Sequence, residues 1–226
     1  MAKILTPKQA ARAIYFDFEG CVHEAPSLLG WSFVRDDGTE RFGQDIVASP
    51  LWEATRKVPH TSGKVLCGRS TLRTAVNCLV LLAEGQDRQI VSWAHHDMEM
   101  IERYVDDPKL VERAQYLYMN ALPTARQWLR KVRPGEVLDK TWGGKHKLAV
   151  YCELMGRSVP KKYGRDVAAK GIRTTRAAIA RCGSYANVPV DSSAREAWMA
   201  VLGHNRLDCS NAREIVTRAA AEYAAA

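Results

Sequence analysis

Three short stretches of this 226-residue chain carry side chains suited to holding a hard cation or moving a proton. The first is Asp17-Phe18-Glu19, set at the end of the apolar run Ala13-Ile14-Tyr15-Phe16 and closed by Gly20. In a strand, residues two apart share a face, so both carboxylates project the same way. Charge beside Tyr15, Phe16 and Phe18 is costly unless water or a cation meets it. The plain reading is the polar face of an edge strand; the chemical one is a pair of hard oxygen ligands for Mg²⁺ or Mn²⁺. The second stretch is Val91-Ser92-Trp93-Ala94-His95-His96-Asp97, a buried strand running into a helix start. Asp97 stands where an N-cap is common and where α/β sheets also place functional groups. His95 and His96 beside it are either ligands or bases or, on the plainer reading, polar surface. The third is Leu202-Gly203-His204-Asn205-Arg206-Leu207-Asp208. His204 and Asp208 are four apart and share one helical face, either as an exposed pair or as a base beside a carboxylate.

These residues need elements to position them. Ala13–Glu19, Leu28–Val34 and Glu40–Val47 read as three strands, with Asp36-Asp37-Gly38 as a turn between the last two, giving an antiparallel meander. Residues 48–68, with Pro50, Pro59 and Gly63, read as loop. Leu72, Ala75, Val76, Leu79, Val80 and Ala83 repeat at helical spacing, with Ser70 as N-cap and Gly85 just past the end. Further along come a strand over Gln89–Ala94, a helix over Asp97–Val105 with Asp97 as N-cap, and a strand over Gln115–Met119. Helices are expected over Leu122–Val132 and over Lys145–Met155, the latter stopped by Gly156. Residues 157–191 read as irregular and basic. A last long helix starts near Ser193, whose spacing to Glu196 fits a capping box, with Gly203 as a point of bending. With no internal repeat and no linker, residues 1–226 read as a single domain of α/β class, its antiparallel strands first.

Composition narrows the classes. Hydrophobic residues are 46% and charged residues 26%, a globular proportion. The longest apolar run, Cys78 to Ala83, is far shorter than the ~20 residues of a membrane span. The N-terminal segment lacks the apolar core of a signal peptide. The six cysteines are scattered without a C-x-x-C pair, which argues against zinc ribbons and thioredoxin-like motifs and for reduced thiols. The expectation is a cytoplasmic protein with no membrane attachment. The net charge of +8 is unevenly spread: Arg126–Arg181 holds 15 basic and 4 acidic residues, a net of +11, and the rest of the chain nets −3. A block this basic is a footprint for a polyanion, and a phosphate backbone is the commonest one.

Taken together, Tyr15-Phe16-Asp17-Phe18-Glu19-Gly20, the Asp97 between strand and helix, and His204-Asn205-Arg206-Leu207-Asp208 resemble the motifs of the DEDD exonuclease superfamily. The likeness spans roughly residues 12–220. Within that superfamily it is nearest to the predicted ribonuclease H-like nucleases of bacteria and phages found beside or fused to RecB-like domains; Lys145-His146-Lys147-Leu148-Ala149 and Leu154-Met155-Gly156 add to it. Two positions depart. Tyrosine is usual where His204 stands, histidine-type members place that residue five before the last aspartate, and threonine often follows the D-x-E where this chain has Gly20.

The resemblance implies a ribonuclease H-like mixed sheet, its first three strands antiparallel, with helices on both faces. It implies that Asp17, Glu19, Asp97 and Asp208 hold two Mg²⁺ or Mn²⁺ ions, ~4 Å apart in such sites. His204 would orient or deprotonate the attacking water. The implied activity is 3′–5′ exonucleolytic hydrolysis of single-stranded DNA or RNA. A non-catalytic nucleic-acid-binding module and a structure-selective endonuclease are the alternatives. The basic segment, with Lys145, Lys147, Lys161, Lys162 and Arg165, would hold the phosphate backbone, with Trp128, Trp142 or Tyr163 as stacking surfaces.

Overall fold

The structure, a computed structural model, describes residues 3–21, 23–54, 66–138, 144, 146–160 and 166–226. Helix α1 (Pro7–Arg12) is opened by a capping box in which Thr6 and Gln9 bond reciprocally. The strands β1 (Ile14–Glu19), β2 (Leu28–Val34) and β3 (Glu40–Ile46) then form an antiparallel meander in which Asp17 lies opposite Gly30, and Gly30 opposite Gln44. The turn before β3 forms as its Asp-Gly signal predicts, with Gly38 at φ 79°. Strand β4 (Leu66–Arg69) adds to β3 in parallel. This corrects the end of the loop expected over 48–68, of which residues 55–65 lie outside the described residues: four residues with a central glycine carry no legible alternation, and the pairing with β3 makes them a strand. A 3₁₀ turn at Ser49–Leu51 lies in the same stretch.

Helix α2 (Leu72–Gly85) follows, capped by Thr71 rather than Ser70, because it is the Thr71 hydroxyl that accepts the Thr74 N–H. Strand β5 (Ile90–Ser92) lies parallel to β1, and β6 (Tyr118–Asn120) parallel to β5. Between them stand α3 (His96–Tyr104) and α4 (Pro108–Leu117). The strand expected over Gln115–Met119 is therefore helix as far as Leu117. Leu110, Ala114 and Leu117 bury one helical stripe, and Asp107 caps the start ahead of Pro108.

The chain continues through α5 (Leu122–Val132), α6 (Leu148–Leu154), α7 (Val167–Cys182) and α8 (Ser193–Ala225). Helix α6 is shorter than the expected Lys145–Met155. Helix α7 occupies the middle of the stretch expected to be irregular over 157–191, while 157–160 and 183–191 hold no α-helix or strand; Gly171, inside α7, is a packing residue. A Cβ there would come within 2.5 Å of Val201 Cγ2 and 2.8 Å of the Ala197 carbonyl oxygen, so α7 and α8 touch nearly backbone to backbone. The Thr175 hydroxyl donates to the Ala194 carbonyl across the same contact. Helix α8 runs unbroken through Gly203. Its N-cap is Ser192, without a side-chain cap bond, so the capping box from Ser193 does not form.

The six strands lie in the order β4-β3-β2-β1-β5-β6, a ribonuclease H-like mixed sheet with helices on both faces. Alternation along β1 divides its side chains. Ile14 and Phe16, with Phe18 packed alongside, face a core made with α2, α3 and α4. Tyr15 faces the opposite core, where α1 and α8 pack. Asp17 and Glu19 continue the Tyr15 face toward α8. Among the described residues no helix is long and apolar enough to cross a membrane.

Candidate functional site

Four acidic side chains from three elements, β1, α3 and α8, meet at the carboxyl ends of the adjacent parallel strands β1 and β5. Open α/β sheets commonly bind ligands in such a position. Asp17 and Glu19 are the last face-sharing pair of β1. Asp97 sits in the first turn of α3, not at its N-cap, which is His95. Its carboxylate turns back to the sheet instead, where Oδ1 accepts the Phe18 N–H at 3.1 Å. His204 and Asp208 project from successive turns of α8 as that helix crosses β1 and β2. His204 Nε2 lies 3.7 Å from Glu19 Oε1 and 3.6 Å from Asp208 Oδ2. One ligand atom from each of Glu19, His204 and Asp208 falls within 4.8 Å of the others.

Asn205, which sequence reasoning passed over, is fully buried and organises this corner. Its Nδ2 donates to Asp17 Oδ2 at 3.0 Å and to the Asp17 carbonyl at 3.1 Å. Its Oδ1 accepts from Gln44 Nε2 at 2.9 Å, and Gln44 donates also to the Leu202 carbonyl. Asp17, Gly30 and Gln44 form one cross-strand row beneath Asn205. A Cβ on Gly30 would stand 2.0 Å from Asn205 Oδ1, so only glycine leaves the room. The signal was available: a glycine inside the apolar strand 28–34 marks a close approach by another group.

The electrostatics are unfavourable for the bare protein. Burial, then the Asp208 charge, pushes Asp17 up to about 8. Burial, then Asp17, does the same to Asp97, again to about 8. Asp208 rises to about 7 through burial and then Asp97. Glu19 is raised well above the ordinary carboxylate range by burial and by Asp17 and Asp208. Such crowding is relieved by a bound cation, which favours the ionised forms. Glu19 is 8% exposed, and its Oε1 has no hydrogen-bond partner among the described residues. An orphaned buried oxygen within a group of hard donors fits a divalent ion.

A cleft of about 560 Å³ opens onto these groups. Asp17, Asp97, His204 and Asp208 line it together with Phe16, Phe18, Trp93 and Lys147, while Glu19 lines a smaller hollow of about 150 Å³ around Gly20 and His96. Of the expected nucleic-acid contacts, Lys147 stands at the cleft, where it precedes α6. Lys145, Lys161, Lys162 and Arg165 lie outside the described residues, as do Trp142 and Tyr163. Trp128 is not a stacking surface. It is fully buried, and its Nε1 donates to Glu222 Oε2 at 2.7 Å, tying α5 to the end of α8.

Fold and site together define an α/β protein with a ribonuclease H-like sheet and four acidic side chains gathered at the carboxyl ends of its central strands. Compared with protein-family models, curated proteins and solved structures, the chain matches none of them.

Proposed function

We propose that the chain is a single divalent-metal-dependent nuclease domain, a 3′–5′ exonuclease on single-stranded DNA or RNA of the DEDD type. The observation that carries this reading is the convergence of Asp17, Glu19, Asp97 and Asp208 from β1, α3 and α8, with a buried Glu19 oxygen that has no hydrogen-bond partner among the described residues. These four carboxylates would hold Mg²⁺ or Mn²⁺, two ions in the DEDD arrangement. Bound there, such ions lower the pKa of a water and stabilise the charge that develops on a phosphodiester.

The chain's own residues supply the rest. Asn205 fixes the Asp17 carboxylate and the Phe18 N–H fixes that of Asp97, so the donors are held before substrate arrives. Two roles are open to His204: taking a proton from the attacking water, or joining the donor set. Lys147 places positive charge at the cleft for the phosphate backbone. A cleft of about 560 Å³ is in the range of small-ligand pockets, which favours the end of one strand over a duplex. The five described cysteines are free of disulfides, which suits a reducing cytoplasm.

The test uses the purified chain with end-labelled linear strands. With Mn²⁺ or Mg²⁺ it should release mononucleotides from the 3′ end, and a chelator should stop it. Asp17→Ala should abolish turnover and leave binding largely intact. Cleavage of a closed single-stranded circle would show an endonuclease instead. Binding without metal-dependent product from any DNA or RNA would leave a binding module.

A further inference from the structure

We infer that His204 is a donor to the bound divalent ion, forming with Glu19 and Asp208 a mixed nitrogen–oxygen set that prefers a first-row transition ion to Mg²⁺. The inference rests on the metal-dependent reading above and deepens it. Three observations carry it.

The first is distance. His204 Nε2 is 3.7 Å from Glu19 Oε1 and 3.6 Å from Asp208 Oδ2. Both exceed the 2.7–3.2 Å of hydrogen bonds made by nitrogen donors. Donors that share an ion, each about 2.1 Å from it, stand roughly 3–3.5 Å apart. The spacing is thus nearer to that of a coordination polyhedron than to that of a hydrogen-bonded triad, and Nε2 is almost equidistant from the two oxygens.

The second is the unpaired Glu19 oxygen. It is Oε1, the atom closest to the imidazole, that is buried without a hydrogen-bond partner among the described residues. The imidazole is 18% exposed, lines the cleft and faces two carboxylates, where an ion shared with them would sit.

The third is rigidity. His204 and Asp208 lie one turn apart on α8, and the residue after each, Asn205 and Cys209, is buried under that helix. Their spacing is therefore set by the helix and not by two mobile surface side chains. Chemistry then decides the ion. Mg²⁺ prefers oxygen and octahedral geometry, whereas imidazole favours transition ions, with affinity rising from Mn²⁺ to Co²⁺.

Titration of metal-free protein with Mg²⁺, Mn²⁺ or Co²⁺ alone, followed calorimetrically, tests this without turnover. Wild type should bind Co²⁺ more tightly than Mn²⁺, and Mn²⁺ more tightly than Mg²⁺. His204→Ala should weaken Co²⁺ by about tenfold or more, a loss usual for groups that support a metal site, and Mg²⁺ by much less. Electron spin-echo spectroscopy of the Mn²⁺-loaded wild type should show modulation from a directly bound nitrogen, a readout that does not depend on how any variant folds. His204→Gln and His204→Ala should both lose it. Absence of nitrogen modulation in a wild type that binds Mn²⁺ more tightly than Asp208→Ala does overturns the ligand role and leaves the metal-dependent reading standing. A wild type that binds none of the three ions overturns both.

Discussion

Asn205 joins the first carboxylate of the site to the last helix, and removing it should separate catalysis from binding. Asn205→Ala takes away the donor to Asp17 Oδ2 and one acceptor of Gln44. A lost partner for buried polar groups costs about 1–3 kcal/mol, to be read by chemical denaturation. Turnover should fall at least about tenfold while affinity for single strands holds, because no basic residue is touched. Equal losses in both would sink the positioning role. Protons tell the same story at this scale. Asp17 and Asp97 are pushed from an ordinary 3.8 to about 8, and Asp208 to about 7. Above pH ~4 the folded, metal-free chain therefore keeps protons that the unfolded chain releases. The stability contributed by these groups is complete below that pH and is lost as pH rises toward 8. The melting temperature of metal-free protein should fall over that range, and saturating Mn²⁺ should shrink or reverse the fall, since the ion binds the ionised form of the folded state alone. Identical profiles with and without Mn²⁺ would count against a metal centre.

Helix α8 is the element on which the site depends, because it supplies His204, Asn205 and Asp208 and lies against both β1 and α7. Two glycines set how closely it approaches, one on each side. Gly171→Ala drives a Cβ into Val201 and the Ala197 carbonyl. Overpacking of this kind costs about 1–3 kcal/mol, and Tm should drop while the activity of the remaining folded protein changes little. Gly30→Ala meets Asn205 instead, so it should lower turnover as well as Tm. Measuring specific activity at a temperature where both variants stay folded separates the two. Equal activity in both would show that the Asn205 contact does not matter for function.

Across the whole molecule, charge is divided as well as geometry. The site is acidic, while the excess of positive charge is concentrated between Arg126 and Arg181. Under the proposed function, a strand held by that segment would bring its phosphates to carboxylates that repel them without a cation. Affinity for single-stranded nucleic acid should therefore fall steeply with salt, as condensed counterions are released. Lys147→Glu should weaken binding similarly for all sequences and make the salt slope shallower. Titrations at several salt concentrations check both, and salt-indifferent binding would point to a small-molecule substrate.

By itself the sequence determined the class of fold and the members of the acidic group. Short runs rich in apolar and aromatic residues over 13–19 and 28–34 specify strands, the two-residue period puts Asp17 and Glu19 on one face, and a spacing of four puts His204 and Asp208 on one side of a helix; these are local properties of a chain. It misassigned what depends on a neighbour. Leu66–Arg69 is a strand because β3 offers it hydrogen bonds. Val167–Cys182 is a helix in spite of Gly171 because α8 lies close enough to need a glycine there. Asp97 was legible as a residue at a helix start, but its turn toward Phe18 was not. Asn205 was legible only as the neighbour of His204, because its importance lies in Gly30 and Gln44, more than 150 residues away in sequence. How near His204 comes to Glu19 was likewise decided only by tertiary packing, since a helix and a strand distant in the chain meet where side-chain volume allows.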